Sequence, residues 1–297
     1  MAGFAVLTPS YAPDFALCRE LNRSVLDWTA PDVEHHLVVP RRDYRLFAAM
    51  AGERTRVWTT DELVPRRMLP LPKANLWLNL RRPYPPIRGW VMQQLVKLGA
   101  AAELDVDVLL LADSDVTFVR PVTADTFRRD GQVRFYRAAA AVGPEMPRHL
   151  LWHGVARRLL GLPPAGPPPL PDYICPMNPW DRRVVLALRD RIEAVTGRDW
   201  LDAIASELHV SEFILYGVFV DEVLGSPVAT PSTLCHTYWG PGPLAPDAVP
   251  GFVASLAGDA VAVMISAKTH TPPSVRHDAL SRIHAALLPP ADRATTT

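Results

Sequence analysis

Two acidic residues, two positions apart, follow one of the most apolar runs of the chain. The run Leu109-Leu110-Leu111-Ala112 leads directly into Asp113-Ser114-Asp115. Because alternate side chains of an extended segment point to the same side, Asp113 and Asp115 can converge on one ligand. Carboxylate oxygens suit Mg²⁺ or Mn²⁺, which they often share with phosphate groups. The spacing therefore predicts a divalent-cation site, although a turn whose carboxylates cap main-chain groups explains the triplet alone equally well.

The segments that must position these carboxylates alternate between strand and helix patterns. Residues 4–7, 36–39, 55–58 and 108–112 have the composition of buried strands, whereas residues 14–26 and 89–102 have helical periodicity. Such alternation predicts an α/β fold with a mostly parallel sheet flanked by helices. Ligands of open parallel sheets bind beyond the carboxyl ends of the strands, where Asp113 and Asp115 would lie. Residues 63–86 are interpreted as a connection rich in proline and arginine.

The second half of the chain has shorter elements. It contains a Pro/Gly-rich loop over residues 160–171, and its predicted elements are helices at 181–196, 200–208, 211–224 and 275–288 and a strand at 261–265. Residues 291–297 are predicted to be a disordered tail.

Composition excludes several classes of protein. The 297 residues are 48% hydrophobic, and 31 Lys and Arg balance 31 Asp and Glu, so there is no general field for nucleic acid. The three cysteines are odd in number and widely spaced, so they suggest neither a zinc site nor a disulfide framework. No signal sequence and no transmembrane run is apparent. We therefore expect a cytoplasmic globular protein.

The order of several motifs is more specific than any one of them. The motifs lie at residues 8–15, 89–98, 113–121, 211–217 and 235–239. Together they resemble GT-A-type glycosyltransferases, and more closely a bacterial family of uncharacterised proteins assigned to that fold and activity. The resemblance covers most of the chain. It implies one GT-A domain, with a nucleotide-sugar-binding half at residues 1–121 and an acceptor-binding half at residues 122–290.

The resemblance also implies ligands and roles. The donor would be a nucleoside diphosphate sugar, and the cofactor Mn²⁺ or Mg²⁺. The metal would be held by Asp113 and Asp115 and completed by His236, with His270 as the alternative. The residues expected to bind the donor are Thr8, Ser10, Tyr11, Trp90, Gln94, Lys97, Asp113 and Lys268.

Glu212 is the candidate catalytic carboxylate. It begins a helical pattern after Ser211, where an acidic side chain also interacts favourably with the helix dipole. In an inverting enzyme Glu212 would take the proton of the acceptor hydroxyl, whereas a retaining enzyme would need another role for it. Tyr238 and Trp239 offer an aromatic platform for an acceptor, which the resemblance leaves open as a glycan, a lipid-linked glycan or a small molecule.

Two other functions fit parts of the pattern. An apolar strand before Asp113-Ser114-Asp115 also matches a haloacid-dehalogenase-like phosphatase, with Asp113 as nucleophile and Asp115 as acid/base. That motif normally opens its fold, however, and here about a hundred residues precede it. The second alternative is a catalytically silent sugar-nucleotide-binding protein, which would keep these residues without turnover.

Overall fold

The computed structural model describes residues 3–71, 74–225 and 228–287. Its strands are β1 (Phe4–Pro9), β2 (Glu34–Val39), β3 (Thr55–Thr59), β4 (Met68–Pro70), β5 (Leu76–Asn79), β6 (Arg82–Arg88), β7 (Val108–Ala112), β8 (Val116–Phe118), β9 (Arg128–Arg129), β10 (Gln132–Val133), β11 (Phe135–Tyr136), β12 (Ala138–Val142), β13 (Leu170–Asp172), β14 (Met177–Asp181), β15 (Ala229–Thr230), β16 (Cys235–Tyr238) and β17 (Ala262–Ile265). Its α-helices are α1 (Phe15–Trp28), α2 (Tyr44–Phe47), α3 (Gly89–Glu103), α4 (Pro147–Leu160), α5 (Arg182–Thr196), α6 (Trp200–Ala205), α7 (Glu212–Val218), α8 (Val249–Ala254) and α9 (Pro273–Leu287). Short 3₁₀ turns occupy Ala12–Asp14, Arg41–Asp43, Ala48–Met50, Thr60–Glu62, Ala124–Phe127, Pro246–Ala248 and Ala267–Thr269, and a π-helical turn, Phe219–Val223, extends α7.

The central sheet has the strand order β14-β7-β1-β2-β3. Strands β7, β1, β2 and β3 are mutually parallel, and only β14 is antiparallel. The predicted α/β class with a mostly parallel sheet flanked by helices is therefore confirmed. The chain leaves β1 in one direction toward β2 and later returns on its other side as β7. The order thus reverses between β1 and β7, and such a reversal is where sheets of this kind bind ligands.

Alternate residues of the buried strands pack on opposite faces of this sheet. Leu7 and Leu111 contribute to a core that includes α3, α5 and α7. Val6 and Leu110 contribute to a second core with α1, β8 and β17. Both faces are covered, which explains why β1 and β7 are continuous apolar runs rather than alternating ones.

The interpretation of residues 63–86 as a connection rich in proline and arginine missed a small sheet. These residues include β4 and β5 and most of β6, which form a three-stranded antiparallel sheet. Pro83, Pro85 and Pro86 cannot donate to a ladder of hydrogen bonds. They lie in β6, which is an edge strand, and an edge tolerates such residues.

The second half adds to the same central sheet. Strand β14 pairs with β7, so residues 177–181 complete the sheet that the first half began. A smaller sheet, β16-β17-β8, joins the strand after Asp115 to the C-terminal region. The predicted helix at 211–224 is observed as α7 with its π-helical turn, and the one at 275–288 as α9, whereas α4 was not predicted. The proposed tail at 291–297 lies outside the described residues. No helix among the described ranges has the length and apolarity required to cross a bilayer.

Candidate active site

A cleft of about 860 Å³ opens at the carboxyl ends of β1 and β7. Its walls bring together Tyr11, Trp90, Asp113, Asp115 and Lys268. These five residues come from four separate parts of the sequence, and all five were predicted to bind the donor or the metal. The reversal of strand order between β1 and β7 creates the opening, because the connections after the two strands diverge.

A tight turn after β7 presents the two carboxylates to this cleft. The Val116 N–H donates to the Asp113 carbonyl over 3.1 Å, which closes the turn. Between the acids, the Ser114 hydroxyl donates to Ser10 Oγ over 3.0 Å and so ties the turn to the end of β1. The predicted donor residue Ser10 is thus buried and holds the turn, although it also lines an adjoining cavity.

The two oxygens of Asp115 have different surroundings. Oδ2 accepts a hydrogen bond of 2.7 Å from the Ala267 N–H. Oδ1 is buried and has no hydrogen-bond partner among the described residues. A buried carboxylate oxygen without a partner is costly, so it marks a place where a cation or a proton would be favourable.

Arg276 of α9 fixes the main chain of the turn from behind. Its Nη2 donates to the Asp115 carbonyl over 2.9 Å and to Thr117 Oγ1 over 3.0 Å. Its Nη1 donates to the Ile265 carbonyl over 2.9 Å, which links β17 to the same guanidinium. Sequence reasoning missed Arg276, and the only signal was a charged residue on the buried face of the last predicted helix.

Burial and repulsion between neighbouring carboxylates raise the pKa values of the acidic groups at the cleft. Burial raises the pKa of Asp113 to about 6; Lys97 opposes this rise, and the Asp115 carboxylate adds to it. Burial also raises the pKa of Asp115, against the effect of the Ala267 N–H. The pKa of Asp14, another residue of the cleft wall, is raised by burial and by Asp115. These carboxyls share one poorly solvated region in which added positive charge would be stabilised.

Behind Asp113 lies a buried ion pair. Lys97 Nζ lies 2.7 Å from Glu212 Oε1 and 4.5 Å from the ring centre of Phe213. Burial alone would lower the pKa of Lys97, but the carboxylates of Glu212 and Asp113 raise it above its usual value. Gln94 accepts a hydrogen bond of 2.9 Å from the Glu212 N–H and thereby fixes the start of α7 against α3.

The structure thus brings Gln94, Lys97 and Glu212 together, but in a layer behind the cleft wall. None of the three is among the residues that line the cleft. The catalytic role predicted for Glu212 would require a carboxylate free to accept a proton, whereas this one is committed to Lys97. Its contacts favour a role in positioning Lys97 and Asp113.

Thr8 is not among the residues that line the cleft. Its side chain is fully buried, and its Oγ1 lies 2.9 Å from His35 Nε2. His35 Nδ1 lies 2.8 Å from the Asn22 side-chain oxygen, which also accepts from Thr55. Since that oxygen can only accept, Nδ1 carries the proton and Nε2 accepts from Thr8. The contacts of Thr8 therefore give no support to donor binding, because its hydroxyl satisfies this internal network.

The two candidate histidines lie in different places. His236 is within β16; its Nε2 lies 2.8 Å from the Phe252 carbonyl, and its ring stacks on that of Phe252 at 4.3 Å. It is not among the residues of the cleft wall, whereas His270 is. The structure therefore does not join His236 to the two carboxylates, and its contacts give no support to the predicted metal role.

Aromatic side chains frame the cleft. Trp239 is 59% exposed, and Lys268 Nζ lies 5.3 Å from its ring centre. Trp90 stacks on Trp152 with ring centres 5.4 Å apart. Tyr238, the other predicted platform residue, instead donates to the Gly242 carbonyl over 3.2 Å. Trp239 and Trp90 thus remain available for a planar or sugar ligand.

The carboxylates fit a cation that takes few ligands from protein. Over the described ranges, no three His, Cys, Asp or Glu side chains are grouped to hold a metal ion. Mg²⁺ typically uses one or two carboxylates and completes its shell with water and substrate phosphates. Asp113 and the free Oδ1 of Asp115 match that pattern. They do not match an enclosed structural metal site, in which protein side chains supply all the ligands.

Comparison with known proteins places the chain in a family. Residues 6–241 match the model of DUF6492, described as a family of unknown function, and the chain belongs to it. No curated protein matches.

Solved structures show weak similarity. The galactosyltransferase LgtC in complex with donor and acceptor sugar analogues is 12% identical, with a TM-score of 0.45 over 98% of this chain and 99% of that one. Mouse xyloside xylosyltransferase 1 is 12% identical, with a TM-score of 0.44 over 91% and 99%. At these values the likeness is too weak to assign an activity.

Proposed function

We propose that this chain is a glycosyltransferase that moves a sugar from a nucleoside diphosphate sugar to a hydroxyl acceptor, and that Asp113 and Asp115 would hold Mn²⁺ or Mg²⁺. The observation that carries the proposal is the buried, unpartnered Oδ1 of Asp115 in a cleft at the reversal of strand order. The geometry suits a ligand that brings both a cation and phosphate oxygens.

The shape of the site supports an elongated donor. A second cavity of about 250 Å³ adjoins the cleft, and both are lined by Pro9, Arg42 and Asn75. Its walls include the apolar side chains of Val38, Trp77 and Met92. We place the nucleobase there, so that the diphosphate and the sugar extend toward Asp113 and Asp115.

Each group of the cleft then has a chemical task. When bound, the divalent cation would neutralise negative charge that develops on the leaving diphosphate. Lys268 follows Ala267, whose N–H binds Asp115, and it lines the same cleft, where its ammonium would stabilise the same charge. Trp239 and Trp90 would bind the acceptor and exclude water from the sugar. Lys97 would hold Asp113 in place, and Glu212 and Gln94 would hold Lys97 and α7.

The proposal is tested by screening UDP-, GDP-, ADP- and dTDP-sugars for thermal stabilisation with and without Mn²⁺. A donor that binds the folded chain raises its melting temperature, and we expect at least one to do so only with Mn²⁺. The same donor should release its nucleoside diphosphate on incubation with Mn²⁺ and an acceptor panel.

Other outcomes separate the alternatives. Turnover of p-nitrophenyl phosphate without any effect of sugar nucleotides would indicate the phosphatase. Calorimetric binding of a donor with no release of nucleotide would indicate the silent binding protein. Either result would overturn the proposal.

A further inference from the structure

A cluster of aromatic and basic side chains connects the cleft with the start of α4. Trp90 lines the cleft and is 37% exposed, and its ring stacks on the ring of Trp152. The guanidinium carbon of Arg148 lies 5.5 Å from the ring centre of Trp90 and 5.6 Å from that of Trp152. The His149 ring centre lies 4.7 Å from that of Trp152. We call Trp90, Arg148, His149 and Trp152 the tryptophan-arginine cluster.

Arg148 differs from the other arginines of α4 in having no acidic partner. Arg157 is paired with Glu222. Arg158 is paired with Glu207. Arg148 is exposed, and its side chain forms no ion pair or hydrogen bond within the described ranges. It lies instead against two indole rings, which restrict the guanidinium and leave its N–H groups available to a ligand.

The start of α4 adds positive potential at the same place. No side chain caps the helix, and its first turn, which begins at Pro147, contains no acidic residue. The first N–H groups of a helix carry partial positive charge, and Arg148 lies in that turn. The helix dipole and the guanidinium therefore favour a ligand of the same sign, an anion.

A buried donor of the cluster also lacks a partner. Trp152 is 7% exposed, and its Nε1 has no hydrogen-bond partner among the described residues. Trp180 Nε1 is unpartnered as well, but Trp180 is enclosed in the core against Phe213 and Tyr216. Trp152 instead contacts Trp90, a residue of the cleft wall. Since an indole N–H can only donate, the unsatisfied groups of the cluster all require acceptor atoms.

We propose that the tryptophan-arginine cluster binds a sugar that carries a carboxylate or phosphate group. The ring of Trp90 would contact the sugar, and Arg148 would bind the anion through paired N–H groups, which match both carboxylate and phosphate. The unpartnered atom at Asp115 is an acceptor and suits a cation, so the two places are complementary to different parts of a substrate pair. The inference rests on the proposed function in identifying this acidic sugar as the acceptor.

The test is a titration of the full-length chain, followed in ¹⁵N–¹H spectra without any sugar nucleotide. The probes are methyl β-D-glucuronide, methyl β-D-glucoside 6-phosphate and methyl β-D-glucoside, which differ at one carbon of the same sugar. The indole N–H signals are assigned with Trp90→Phe and Trp152→Phe. We expect a charged probe to shift the Trp90 signal and to bind about tenfold more tightly than the neutral one, since hydrogen bonds to charged groups are the stronger ones. The tighter of the two charged probes identifies the anion.

Arg148→Gln keeps hydrogen-bond donors but removes the charge. It should lower the affinity for the charged probe to about that for the neutral probe and leave the neutral probe unaffected. Arg189 provides the matched control, because its guanidinium carbon lies 4.3 Å from the ring centre of Trp200 and it does not line the cleft. Arg189→Gln should leave every affinity unchanged, with melting temperatures confirming that both variants fold.

Equal affinities for charged and neutral probes, or equal losses in Arg148→Gln and Arg189→Gln, would overturn the inference. Weaker binding of a sugar nucleotide by Arg148→Gln would overturn it as well, because the cluster would then belong to the donor site. Tight binding of a charged probe by a chain that no sugar nucleotide stabilises would keep this site and remove the proposed function. Donor binding without preference among the probes would do the reverse.

Discussion

The cleft wall and the protein interior next to it contain similar acidic and polar residues. They differ in whether those residues have a hydrogen-bond or ion-pair partner. On the wall, Asp113 faces the opening and Asp115 keeps one buried oxygen without a partner in the described structure. Away from the wall, Glu212 is paired with Lys97, and Thr8 is hydrogen-bonded to His35 in a separate internal network. Both sets are acidic or polar groups at the ends of elements. The difference teaches that an unsatisfied polar group distinguishes the residues of our proposed ligand site from similar residues whose hydrogen bonds are satisfied inside the protein.

The sharpest way to break this comparison is to remove the charge of Asp115. Asp115→Asn keeps an oxygen that can accept from the Ala267 N–H but loses affinity for a cation. If the cleft works as proposed, Mn²⁺-dependent nucleotide release should fall about 100- to 1000-fold, as it does when one group that stabilises transition-state charge is removed. The Mn²⁺-dependent thermal shift should disappear as well. A variant that kept both would remove Asp115 from the cation site.

The second prediction concerns the layer behind the wall. Lys97→Met leaves Glu212 buried without its cation, which should lower the free energy of unfolding by about 3–5 kcal/mol in urea denaturation. Lys97→Met combined with Glu212→Leu should recover much of that loss, because no unpaired charge then remains.

A surface pair provides the matched control for Lys97. Arg282 and Asp278 are paired at 2.9 Å on the exposed side of α9. Arg282→Met should change the unfolding free energy by less than about 1 kcal/mol, since exposed pairs contribute little. An equal effect of Lys97→Met and Arg282→Met would show that the buried pair has no special role.

The third prediction concerns the pH dependence of stability that the buried His35 of the Thr8 network should cause. Burial and the neighbouring His36 lower the pKa of His35 to about 3, so the folded protein holds this ring neutral. The unfolded chain binds a proton near pH 6.5, so this contribution to stability is complete above pH 6.5 and declines as pH falls. Between pH 6.5 and about 3 the loss should be about 1.4 kcal/mol per pH unit.

His35→Gln provides the reference for that measurement. Urea midpoints without added metal should fall less steeply for His35→Gln than for the wild type between pH 7 and pH 5. Parallel slopes for the two proteins would contradict the neutral, buried state of His35.

Thr8→Val should have a smaller effect than the loss of the Asp115 charge or of Lys97. This change leaves His35 Nε2 without its donor and should cost about 1–2 kcal/mol of unfolding free energy. The affinity for a donor that stabilises the wild type should stay the same, because Thr8 does not line the cleft. Weaker donor affinity at unchanged stability would instead support the original prediction for Thr8.

Much of the fold could be predicted from the sequence by itself. The apolar runs at β1, β2 and β7 and the periodicity of α1 and α3 predicted an α/β sheet, and two carboxylates follow β7 in the sequence. The reason is local, since side-chain period and burial on both faces are visible in a short window. The same local spacing placed Asp113 and Asp115 on one side of the turn.

Only the tertiary structure decided which other residues meet them. Arg276 and Ala267 reach the turn from about 150 residues away in sequence, because β17 pairs with β8. His236 and Glu212 had suitable residue types, but their elements direct them to Phe252 and Lys97. Partners at such separations depend on how sheets and helices pack, and that information is spread over the whole chain rather than present in any one motif.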